Sequence, residues 1–115
     1  MVERQKDENL SAILKAASDP TRRAILTLLA QHGPMKVTHI ARQYDQSLNA
    51  ISKHIKVLET AGLVSRRTEW REHLIEVQME PLSAIDLWFT QLRSIWALRF
   101  DTLEAALTEE TDNDN

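Results

Sequence analysis

The chain contains no cysteine. That excludes a disulfide framework, a thiolate metal site and a cysteine nucleophile, and it leaves the redox compartment undetermined. Glycine is nearly absent as well: Gly33 and Gly62 are the only two in 115 residues, so no glycine-rich phosphate loop or nucleophile elbow can be built. The longest apolar run, around Ala24 to Ala30, is broken by Thr27 and falls far short of the roughly 20 residues that a membrane span needs. Met1 to Glu8 is charged throughout and no apolar segment follows, which is not the pattern of an export signal. These absences predict a cytoplasmic protein without membrane contact. A chain of 115 residues accommodates one domain with a single core; that domain is expected over residues 1–110, with 111–115 a polar, acidic, disordered tail.

The formal net charge is −3, yet its distribution is uneven. Residues 36 to 71 hold seven bases (Lys36, Arg42, Lys53, Lys56, Arg66, Arg67, Arg71) against three acids, whereas residues 80 to 115 hold two bases against eight acids. A basic centre with an acidic tail can present a cationic face to nucleic acid despite an acidic total.

Apolar periodicity then orders the chain. Leu10, Ile13, Leu14 and Ala17 recur at helical spacing, predicting a first helix from near Asn9 to just before Asp19. Asp19-Pro20 reads as an N-cap with proline at the first helical position, and the second helix stops at Gly33-Pro34. Val37, Ile40, Ala41 and Tyr44 predict a short third helix over 36–44. Ser47 caps a fourth that runs to Ala61 and stops at Gly62. Two helices joined by about four residues form a helix-turn-helix unit. After Gly62 the pattern turns extended, around Leu63 to Thr68 and again around His73 to Gln78, which predicts a hairpin or wing. Its tip, Glu69-Trp70-Arg71-Glu72, holds no glycine, so a longer loop is expected in preference to a two-residue type I′ turn. Pro81 opens a last helix to about Glu110, longer than a small domain can cover, so part of its apolar surface should meet a partner chain. The expected fold is mainly α: a winged helix-turn-helix of five helices and a two-stranded wing.

The fourth helix divides into two faces. Leu48, Ile51, Ile55 and Leu58 form an apolar stripe, and Asn49, Lys53, Lys56 and Thr60 lie opposite, with Ala50 and Ser52 at the edges. Short polar groups early and cations later suit a helix that meets base edges first and phosphates further on. A solvated helix face is the alternative reading of the same pattern.

At this point the residues resemble a known family. Ala17-Ser18-Asp19-Pro20-Thr21-Arg22-Arg23-Ala24-Ile25-Leu26 and Ala50-Ile51-Ser52-Lys53-His54-Ile55-Lys56-Val57-Leu58-Glu59-Thr60-Ala61-Gly62-Leu63-Val64 resemble the opening and the recognition helix of ArsR-type winged helix-turn-helix regulators. Trp88, Trp96, Phe100-Asp101 and Leu103 resemble the last-helix signature of a branch often found beside genes for SRPBCC-fold proteins. The resemblance implies a repressor that binds double-stranded DNA as a homodimer, with Asn49, Ala50, Ser52 and Lys53 reading bases and Ser47, Lys56, Arg66, Arg67 and Arg71 holding phosphate. It also implies a dimer interface on the first and last helices, at Leu10, Ile13, Leu14, Trp88, Leu92, Ile95, Trp96 and Leu103. The chain departs from the family at the wing, where Trp70 stands for the usual tip glycine and Glu72 for a usual arginine.

Other chemistries have little support. The four histidines (His32, His39, His54, His73) form no i, i+4 pair, so no metal or other cofactor is expected. Ser52 and His54 are two residues apart and point to different faces of their helix, which excludes a catalytic pairing; no enzyme activity is expected. Trp88 and Trp96 are read as core or interface, with the lining of a small-molecule effector pocket as the alternative. The competing class of function is a winged helix used purely for protein interaction.

Overall fold

A computed structural model of the chain describes the backbone of residues 2–113 and the side chains of residues 9–108. Helix α1 spans Val2–Ala17, starting earlier than the apolar period suggests, because the charged residues ahead of Asn9 are good helix formers that carry no periodic apolar signal. Ile13 and Ala16 are buried while Leu10 and Leu14 are half-buried. Asp19 caps α2 (Pro20–His32) by accepting a hydrogen bond from the Arg22 amide at 3.0 Å. At the other end Gly33, at φ +80°, donates its amide to the Leu29 carbonyl at 2.8 Å, a backbone conformation that favours glycine.

Beyond Pro34 the chain makes a two-residue strand β1 (Met35–Lys36), a five-residue helix α3 (Val37–Ala41), and then α4 (Leu48–Thr60). Helix α3 is shorter than the apolar positions of 36–44 suggest, although Tyr44 beyond it still packs against the core. Ser47 caps α4, its Oγ accepting from the Ala50 amide at 3.1 Å. The helix ends in a Schellman arrangement: Gly62 (φ +78°) donates to the Glu59 carbonyl and Leu63 to the Leu58 carbonyl, at 3.0 and 2.9 Å. That turn delivers the buried Leu63 and Val64 directly into the sheet.

Strands β2 (Val64–Glu69) and β3 (Glu72–Val77) pair antiparallel, and β1 adds to the far side of β3, so the sheet has three strands in the order β1-β3-β2. The hairpin β2–β3 is the expected two-stranded wing, and β1, too short to show a period, adds a third strand beside it. In the central strand Ile75 is solvent-free and faces Met35 on one side and Arg66 on the other.

A correction concerns the wing tip. Glu69 pairs with Glu72, leaving a connection of only Trp70 and Arg71 in place of the longer loop. Trp70 takes φ +59° and Arg71 stays outside the positive region. Type I′, which needs positive φ at both positions, is therefore avoided by placing only the tryptophan in the disfavoured conformation.

Ile25, Leu29, Ile40, Ile51, Ile55, Leu58, Leu63 and Ile75 form the solvent-free centre of the core. Each contributes roughly 1.5–3 kcal/mol relative to exposure, against about 0–1 kcal/mol for an exposed ion pair, so packing and not charge decides how α4 is seated. The chain divides into two units, Met1–Ile85 and Asp86–Asn115. Helix α5 (Leu82–Asn113) begins in the first and supplies the described part of the second. It is helical through residues 111–113, where a disordered tail was expected; residues 114 and 115 of that tail lie outside the described residues.

Candidate nucleic-acid interface

The apolar stripe of α4 explains its orientation. Ile51, Ile55 and Leu58 are fully buried, and the helix packs against α1, α2, α3 and β2. Leu48 departs from the expected stripe and is 50 % exposed, because at the first turn the helix has already passed beyond the core. Burial of one side turns the other outward: Asn49, Lys53, Lys56 and Thr60 are exposed, while Ala50 and Ser52 are half-buried at the margins. Ser47 Oγ uses a lone pair for the cap and keeps its hydroxyl hydrogen available to a phosphate oxygen.

The expected phosphate contacts fall into two groups. Among the described residues Lys53, Lys56 and Arg71 have no ion-pair partner. Arg66 instead lies 3.4 Å from Glu59 on α4, and Arg67 lies 3.7 Å from Glu69 and 4.0 Å from Glu76. The wing's cationic character is thus partly neutralised within the protein. Glu72, the departure noted in the sequence, pairs with Lys36 at 2.8 Å and links β1 to the wing.

A cluster that sequence reading did not assemble holds α4 from behind. Arg22 donates through Nε to the Ala16 carbonyl at 2.7 Å and through Nη2 to the Lys15 carbonyl at 3.1 Å, satisfying the C-terminal end of α1. Its Nη1 lies 3.3 Å from His54 Nδ1 on α4, and that nitrogen is 3.8 Å from Asp19 Oδ2. One residue at the start of α2 therefore reaches the end of α1 and the back of α4 through its guanidinium, while its backbone N–H meets the Asp19 cap. The Arg22 backbone N–H is the main cause that holds the Asp19 carboxyl below its ordinary value, against an opposing push from partial desolvation, and His54 and the Arg22 charge add to the lowering. Gln46 Nε2 donates to Thr21 Oγ1 at 2.9 Å and ties the turn before α4 to α2. The signal available for this cluster was the Asp19 cap; nothing local pointed from Arg22 to His54.

Of the residues expected at a dimer surface, Ile13 is 2 % exposed and belongs to the core of its own unit. Along α5, Trp88, Leu92, Ile95, Trp96 and Leu103 are all exposed, with Trp96 and Phe100 in edge-to-face contact at 5.5 Å. Among the described residues no group of three or more histidines and carboxylates is arranged to hold a metal ion. No helix there is long and apolar enough to cross a membrane.

Comparison with known proteins follows this geometry. A family described as a helix-turn-helix domain matches residues 17–67, the stretch from the end of α1 to the middle of β2. The HTH-type transcriptional regulator Rv2034 of Mycobacterium tuberculosis is 34 % identical over 99 residues, covering 86 % of this chain and 89 % of the relative. The crystal structure of an ArsR family transcriptional regulator superposes with a TM-score of 0.74 at 33 % identity, over 79 % of this chain and 93 % of the other. The solution structure of the homodimeric winged helix-turn-helix DNA-binding domain of Mb0332 from Mycobacterium bovis gives a TM-score of 0.61 at 27 % identity, over 79 % and 82 % of the two chains.

Proposed function

This chain belongs to the ArsR family of winged helix-turn-helix DNA-binding transcriptional regulators, and we propose that it is a repressor that grips a palindromic operator as a homodimer. The observation that carries this reading is the division of α4: one side locked into the core, the other presenting Asn49, Lys53 and Lys56 without ion-pair partners among the described residues. Asn49 has the donor and acceptor to pair bidentately with adenine, and Lys53 can donate to guanine. Ala50 and Ser52 flank them, and Ser47, Lys56, Arg66, Arg67 and Arg71 approach phosphate, the two paired arginines by exchanging a carboxylate for a phosphate oxygen.

The homodimer reading is supported by the exposed apolar residues Trp88, Leu92, Ile95, Trp96 and Leu103 of α5, together with Leu10 and Leu14 of α1. The Mycobacterium bovis domain to which the chain is similar is itself homodimeric. Two-fold symmetry would set the α4 helices in successive major grooves about 34 Å apart, giving half-sites about one turn apart.

The test is selection of DNA by the purified protein followed by binding of variants to the selected site. Asn49→Ala and Lys53→Ala should each cost roughly 1–3 kcal/mol and relax selectivity at one position per half-site. Lys56→Ala should weaken all DNA alike and flatten the salt dependence. If the first two variants bind the selected site like wild type, α4 is not the reader, and the apolar face of α5 becomes the working surface of a protein-interaction module.

A further inference from the structure

Trp70 is 98 % exposed at the tip of the wing and sits at φ +59°. Both properties are unfavourable. An indole left entirely in water forgoes its burial, and a bulky residue in the left-handed region is strained where glycine would be at ease. Neither contributes anything to the fold, since the ring packs on nothing. The turn nonetheless displays it at the end of two six-residue strands that project from the C-terminal end of α4.

The charges around the ring point to a partner. Glu69 and Glu72 flank the turn, but each is engaged by a base, Arg67 at 3.7 Å and Lys36 at 2.8 Å. Arg71, next to Trp70 and exposed, has no such partner among the described residues. The tip therefore offers a flat aromatic ring and one uncompensated cation. That combination fits a partner that is anionic and built of stackable planes. Resting on the reading of α4 as a major-groove helix, we propose that Trp70 is a wedge that enters the minor groove beside each half-site, its ring against a base step, while Arg71 follows the narrow, negative groove wall. A minor groove about 6 Å wide excludes a hairpin but admits a single extended side chain, and apolar side chains at such positions separate base steps and bend the duplex. The two-residue turn leaves the ring at the very end of the hairpin, clear of the strands. Trp70 thereby reads the deformability of bases that α4 does not touch.

The experiment uses the full chain and a DNA site selected by it, with 2-aminopurine placed at successive positions outside the α4 contacts. Wild type should raise the 2-aminopurine emission at one step per half-site and bend the site. Trp70→Ala should abolish both and weaken binding about tenfold, with the salt slope retained. Arg71→Ala should instead lower that slope by about one. Trp70→Gly relieves the backbone strain and so separates ring from turn: binding as weak as that of Trp70→Ala assigns the loss to the ring, and wild-type binding overturns the proposal. Trp70→Phe should recover part of the affinity. Equal binding and bending by wild type and Trp70→Ala, with Asn49→Ala still defective, overturns the wedge and leaves the α4 reading standing. A wild-type protein that selects no DNA overturns both. The emission difference between wild type and Trp70→Phe reports the ring; if it stays as open to acrylamide in the complex as in free protein, the wedge is overturned and the ring is left for a protein partner.

Discussion

Ser47 joins a structural and a functional demand in one hydroxyl. Its lone pair caps α4 and its hydrogen is left free to donate, so the two demands can be separated by substitution. Ser47→Ala should cost about 1 kcal/mol in denaturant unfolding through loss of the cap. Ser47→Asp should keep the cap and suit the positive end of the helix dipole, leaving stability near wild type, yet repel phosphate and weaken DNA binding. Asp19 makes a different residue-scale prediction. Its folded pKa is depressed below the ordinary 3.8, so its contribution to stability is fully present above that pH and is lost as pH falls through the lower folded value. Asp19→Asn keeps a capping side chain without the charge. Its stability deficit, followed by unfolding at a series of pH values, should be constant near neutrality and close on the acid side; a deficit that widens toward low pH would contradict the geometry.

At the scale of elements, recognition helix and wing are joined twice: through the Gly62 turn, and through Glu59 on α4 with Arg66 on β2 at 3.4 Å. The ion pair is a third or so exposed at each end, so it contributes at most about 1 kcal/mol to stability. Its larger effect is that the Glu59 carboxylate competes with phosphate for Arg66. Glu59→Gln should leave unfolding nearly unchanged while tightening binding to DNA of any sequence by up to about 1 kcal/mol and steepening the salt dependence. Titration at several salt concentrations checks this, and unaltered binding would mean that Arg66 does not reach phosphate. The same element scale explains Glu72, which is an anchor for Lys36 and β1 in place of a DNA contact.

For the whole molecule the question is what covers α5. Seven large apolar residues after Trp88 and up to Leu103 (Phe89, Leu92, Ile95, Trp96, Leu98, Phe100 and Leu103) are each more than 40 % exposed, more apolar surface than monomeric proteins commonly leave in water. Trp96→Glu should remove the association, giving monomers in sedimentation at micromolar concentration, and with them the tight binding to a two-half-site operator. Unit 1 should keep its fold, since its core holds no α5 residue beyond Ile85. A wild-type chain that sediments as a monomer would remove the basis for a palindromic operator.

The sequence by itself determined that there are five helices, and those of their ends that a capping residue marks. Asp19-Pro20, Gly33, Ser47 and Gly62 act within a few residues of where they stand, so capping rules locate them, and the apolar period of Ile51, Ile55 and Leu58 dictates which side of α4 is turned to the core. The outward stripe Asn49, Lys53, Lys56 followed from that period alone. Three things were decided only by tertiary structure. Strand β1 exists because β3 supplies hydrogen-bond partners to two residues that have no pattern of their own. The two-residue turn at Trp70 follows from the β2–β3 register, which the buried Val64 and Ile75 enforce against the local preference for glycine. The contact between Arg22 and His54 joins positions 32 residues apart, and the free or paired state of each wing arginine depends on carboxylates brought near by folding. Local rules operate over one turn of helix or one strand pair; which charges meet across the molecule is settled only when the core closes and brings distant segments within hydrogen-bonding reach.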